Sequence, residues 1–163
     1  MQPLHPLFVH LPLALASILP LVAAGLLLAW HKGWLPRRAF VVAVLLQAML
    51  VGGTIAARMT GEEDEERVEK VVNEAAIEAH SDAADLFLYG AGAALVLLAL
   101  SGLRGRAGKG LALAGTLATV GVLVLGIRVG HLGGQLVYKE GAAAAWTSPT
   151  GPGPAQGKHD DDD

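Results

Sequence analysis

The chain has 163 residues, 53% of them hydrophobic and only 5% aromatic, with twelve Lys and Arg, fifteen Asp and Glu, and no Cys. A mean hydropathy of +0.48, carried by runs of Leu, Ala, Val and Gly, excludes an ordinary soluble domain and reads as membrane-helix composition. The missing cysteines exclude disulfides, covalent c-type haem and thiolate-held iron–sulfur or zinc centres. A net charge of −3, with the cations held in short loops against lipid headgroups, argues against nucleic acid as a partner.

Four apolar stretches, at about residues 7–30, 39–59, 83–103 and 110–132, each approach the ~20 residues a helix needs to cross ~30 Å of hydrocarbon. None alternates with the period of two expected of a barrel strand. They predict an all-α, four-transmembrane-helix bundle over residues 1–140. The first span opens Pro3-Leu4-His5-Pro6-Leu7-Phe8-Val9-His10-Leu11-Pro12. Pro6 suits a first helical turn, and Pro12 and Pro20 predict bends inside the span. The flank before it has no Lys or Arg and no clear cleavage site follows, so it is expected to be retained rather than removed as a signal peptide.

The second span carries Gln47 near mid-membrane and Gly52-Gly53, which permit close backbone approach. Beyond the acidic run Glu62–Glu66, apolar residues recur at Val68, Val71, Val72, Ala75, Ala76 and Ala79. That spacing predicts a short amphipathic outer helix between spans two and three. It would deliver His80 to the top of span three, where Ser81, Asp82 and Asp85 suit a first turn. Span four holds Gly121, Gly126, Gly130, Gly133 and Gly134. The Gly126–Gly130 pair reads either as helix packing or as room for a flat cofactor beside His131. The tail 141–163, rich in Ala, Gly and Pro and ending in four aspartates, is expected to be disordered or docked on a partner.

Charge sets the expected orientation. The short loops 31–38 and 104–110 hold Lys32, Arg37, Arg38, Arg104, Arg106 and Lys109 and no acid, whereas every Asp and Glu falls on the other side of an up-down bundle. The positive-inside rule then makes the short loops cytoplasmic and both termini periplasmic in a bacterial inner membrane. Four histidines, His5, His10, His80 and His131, fall at the outer ends of the spans; His31 lies in a basic loop and His159 in the tail.

Ionisable groups at membrane depth raise a functional-site hypothesis by default. Neutral imidazole binds zinc, copper, iron or haem iron, and such sites are built between facing helices of bundles. The expected ligand pool is His10, His80 and His131, with His5 as a fourth; the same three are the candidates for a bare metal. Arg128, three residues before His131 and so on its face, and Arg58 are candidates to pair with haem propionates; Arg67 also lies near that end. Arg128 alternatively pairs with Asp85 or snorkels to headgroups. The Glu-x-x-His pairs of di-iron bundles are missing, since position 77 is Ile. No nucleophile–base pair or phosphate loop appears, so the protein by itself is not expected to be an enzyme.

The sequence resembles a bacterial family of four-helix integral membrane proteins catalogued only as a domain of unknown function. The resemblance covers about Leu4 to Gly141. It is carried by His5-Pro6-Leu7-Phe8-Val9-His10-Leu11-Pro12, Thr60-Gly61-Glu62, Glu78-Ala79-His80 and Gly130-His131-Leu132-Gly133-Gly134-Gln135-Leu136-Val137-Tyr138-Lys139-Glu140-Gly141. It implies company with Rieske or cytochrome-type redox domains, although this tail carries no ligands for either. The leading expectation is a membrane electron-transfer subunit binding b-type haem, partnered by other membrane redox subunits or a periplasmic cytochrome or cupredoxin, with a homo-oligomer possible. The alternatives are a cofactor-free structural or assembly subunit, and a copper, zinc or iron binding protein using histidine and carboxylate.

Overall fold

The computed structural model describes residues 5–103 and 105–147. Its elements are α1 (His5–His31), a 3-10 turn at Arg37–Phe40 leading into α2 (Val41–Val68), α3 (Glu74–Leu100), α4 (Arg106–Tyr138) and a single-turn α5 (Ala144–Thr147). All four long helices are apolar and long enough to cross a membrane, as expected, and no strand occurs among the described residues. α1 packs on α2 and α4, and α3 packs on the same two, so α1 and α3 face each other diagonally across an up-down bundle. One end gathers the acidic residues and the other the basic loops; they are called here the acidic and basic ends.

Small residues let the helices approach where apolar attraction between helices is absent, because lipid is as apolar as leucine. The central core joins Leu15, Ala16 and Leu19 of α1 to Leu50, Phe87, Ala91, Ala94 and Val122. A Cβ on Gly126 would lie 3.2 Å from the Phe87 ring, and Gly130 faces Leu13. Gly126 is thus taken up by helix packing, the first of the two readings of the pair, whereas Gly130 is exposed. Gly53 accepts the ring of Pro12, whose Cδ would stand 3.2 Å from an added Cβ, while α1 stays helical through both internal prolines. Mid-bundle, the fully buried Gln47 donates from Nε2 to the Ala91 carbonyl at 2.9 Å and ties α2 to α3. Large apolar side chains such as Leu21, Leu117 and Val124 point outward, as lipid-facing positions do.

The expected amphipathic helix between spans two and three does not form as a separate element. The acidic run Glu62–Glu66 instead extends α2 to Val68, and α3 begins at Glu74. Glu is a good helix former, and Arg58 pairs with Glu62 one turn on at 3.2 Å, so nothing stops α2 at the membrane edge. The chain reverses over residues 69–73, where the Asn73 side chain caps α3 by accepting from the Ala75 amide. The apolar stripe is real but is divided among the end of α2, the turn and α3: Val72 and Ile77 are buried together with Ala142, backed by Val68, Ala76 and Leu136. Ser81, Asp82 and Asp85 consequently lie inside α3 rather than in its first turn.

At ~1.5 Å per residue α2 and α4 run roughly 42 and 50 Å, longer than ~30 Å of hydrocarbon. The surplus at the acidic end makes a helical collar in which the histidines sit. The first residues of the expected tail dock on this collar: Ala142 is buried and Trp146 half-buried. The rest of that tail, from residue 148, lies outside the described residues.

Candidate functional site

The collar brings two histidines together. His5 opens α1 with its ring half-buried against α2, its Nδ1 2.7 Å from the Ala57 carbonyl. A carbonyl only accepts, so Nδ1 carries the proton and Nε2 keeps the lone pair when the ring is neutral. Gly61 makes room for this contact, since a Cβ there would stand 3.1 Å from Nδ1. The hydroxyl of Thr60 donates to the Ala56 and Ala57 carbonyls at 3.1 and 3.0 Å. The Thr60-Gly61 pair thus shapes the seat of His5.

His80 enters from α3 and lies over Gly133 of α4, where an added Cβ would fall 3.1 Å from Cε1. Val129 offers the ring a backbone carbonyl, and Nδ1 is buried without a hydrogen-bond partner. The two imidazoles stand with centroids 6.2 Å apart and planes at 89°. Each ring rests on a glycine of a neighbouring helix, an arrangement that fixes both against lateral movement.

Beside the pair is a cavity of about 330 Å³, lined by His5, Arg58, Asp64, His80, Ser81 and Trp146 among others. Among the described residues, three of the four with a buried side-chain atom lacking a hydrogen-bond partner line it: Asp64 (Oδ2), His80 (Nδ1) and Trp146 (Nε1). Buried polar groups are nearly always satisfied, so these atoms give the cavity its unmet hydrogen-bonding capacity. Arg58 is held at the cavity edge by ion pairs to Glu62 and, across to α3, to Asp85.

Residues 1–145 match the family described as predicted membrane protein, DUF2231. The chain belongs to that family. No curated protein and no solved structure matches it.

In this DUF2231 chain the expected ligand pool is divided. His5 and His80 converge. His10 and His131 are exposed and do not line the cavity. His131 precedes Gly133 by two residues, roughly 200° around α4, and so faces away from His80; its Nε2 meets Gln135 Nε2 at 2.6 Å. Arg128 is exposed and forms no ion pair among the described residues, Asp85 being held by Arg58 instead. Among the described residues no group of three or more His, Asp or Glu is arranged to hold a metal ion by itself. Trp146 and the two glycine seats were not singled out as site residues from sequence. A lone Trp in an Ala-rich stretch was the one available signal for the first.

Proposed function

We propose that this membrane protein is an electron-transfer subunit that holds b-type haem through His5 and His80 at the acidic end of the bundle. The carrying observation is the approach of two imidazoles from diagonal helices, with centroids 6.2 Å apart and planes at 89°. Neutral imidazole is a ligand of iron and copper, and these are the two histidines whose rings approach each other. A ring N–H held by a backbone carbonyl is the usual support of a ligating histidine, and His5 has it from Ala57. A tetrahedral ion asks for four ligands; a haem brings its equatorial four and asks the protein for two, the number that converges here. Arg58 and the Trp146 N–H at the cavity supply a cation and a donor suited to propionates. Bound between two imidazoles, the haem would supply a one-electron couple.

The rest of the chain serves that role. His5 and His80 are positioned by Gly61 and Gly133, and the acidic collar would steer a basic soluble carrier toward the site. By the positive-inside rule the collar faces the periplasm of a bacterial inner membrane. A second reading is a copper(I) site on the same two imidazoles. It is favoured by the cavity volume of about 330 Å³, near the lower end of ligand pockets and ample for an ion.

Visible spectra of the detergent-purified protein, expressed with added haem precursor, decide between them. Haem predicts a Soret band and a sharp dithionite-reduced α-band that are lost in His5→Ala and His80→Ala and kept in His10→Ala and His131→Ala. A colourless haem-replete protein overturns the haem reading. One copper per chain, lost in the same two variants, would then carry the second.

A further inference from the structure

At the basic end, α2 and α3 part around an open cleft of about 930 Å³ with Arg37 and Arg38 at its mouth and Phe40, Val41, Val44 and Leu98 along its wall. A second cleft of about 310 Å³ adjoins it, sharing Arg37 and Leu103 and adding Trp30, Arg106 and Lys109. None of the Asp and Glu residues of the chain lies between residues 1 and 61 or between 86 and 139. The only ion pairs among the described residues are those of Arg58 at the far end. Arg37 is half-buried, and its Nη2 lies close to Gly102 just past the α3 C-terminus.

A cationic rim that opens onto an apolar groove between two membrane helices has one complement: an anion carrying a long apolar chain. We propose that this cleft is a specific seat for one anionic glycerophospholipid of the leaflet on the basic side. The phosphate would lie among Arg37, Arg38, Arg106 and Lys109, and an acyl chain along Val41, Val44 and Leu103. Basic pockets between transmembrane helices are a known form of lipid recognition. The seat differs from the general attraction of basic loops to anionic leaflets in demanding both parts of the lipid at one place.

The test is native mass spectrometry of the full chain released from detergent, with phosphatidylglycerol and phosphatidylcholine of identical acyl chains. The expected result is one retained phosphatidylglycerol per chain, weakened about fivefold in Arg37→Gln or Arg106→Gln, the worth of one cation near a lipid surface. Lys32→Gln removes the same charge outside the clefts and should leave retention unchanged. Glycerol phosphate, the headgroup chemistry without chains, should not compete. Equal retention of the two lipids, an equal effect of Lys32→Gln, or displacement by glycerol phosphate overturns the proposal. Arg106→Gln, at an exposed helix start, stands in should Arg37→Gln fail to fold.

Discussion

At the residue scale, glycines decide where imidazoles go. Gly133 and Gly134 are adjacent in sequence, yet only the first would bring a Cβ within 3.1 Å of His80, whereas the second meets nothing within 4 Å. Gly133→Ala is expected to displace the His80 ring and abolish cofactor retention, with an overpacking cost of about 1–3 kcal/mol. Gly134→Ala should match the parent in both spectrum and unfolding midpoint. Gln47 provides a second contrast. Its Nε2 bonds Ala91 while Oε1 has no partner, so Gln47→Leu removes a bond worth ~0.6 kcal/mol together with an unsatisfied acceptor. Stability in a micellar unfolding titration should move by less than about 1 kcal/mol. Gln47→Ala adds a cavity and should cost about 2 kcal/mol more.

At the element scale, the turn between α2 and α3 is the joint that forms the collar. Asn73 caps α3 through its side chain, and Asn73→Ala should cost about 1 kcal/mol. Faster amide hydrogen exchange over residues 74–77, with the spans unaffected, is the signature that separates a lost cap from global weakening. The Arg58–Asp85 pair also bridges α2 and α3, but both side chains are about a third exposed. Its double-mutant coupling energy is expected to stay below about 1 kcal/mol. The packing of Val72, Ile77 and Ala142, rather than the ion pair, holds the collar together.

At the scale of the whole molecule, the separation of charge along the bundle predicts an orientation. Because the native chain has no Cys, single cysteines report topology directly. Lys70→Cys and Glu140→Cys are expected to react with a membrane-impermeant maleimide added to intact cells, and Lys32→Cys and Lys109→Cys only after permeabilisation. The reverse pattern would turn the collar to the cytoplasm and remove the case for a periplasmic electron partner. The proposed steering of a basic carrier by the acidic collar predicts that association slows as salt rises above about 0.1 M, where the screening length falls below ~10 Å.

The helical class and the four spans were legible in the sequence because hydrocarbon leaves the backbone few choices: a stretch of ~20 apolar residues must be a helix or part of a barrel. Charge asymmetry likewise gave an expected orientation, because cations and acids were segregated by loop. Which histidines meet was not legible. Depth along a helix follows from counting residues, but azimuth depends on how each helix rotates against its neighbours, and that is settled by small residues such as Gly61, Gly126 and Gly133. His131 has a suitable depth and faces away; His5, apparently outside the span, is drawn in by the Ala57 carbonyl. The division of the apolar stripe among α2, the turn and α3, and the docking of Trp146, also needed tertiary contacts, since each depends on partners far apart in the chain. The sequence determined a membrane bundle with one acidic and one basic end, and packing alone decided that His5 and His80 are the pair brought together at the acidic end.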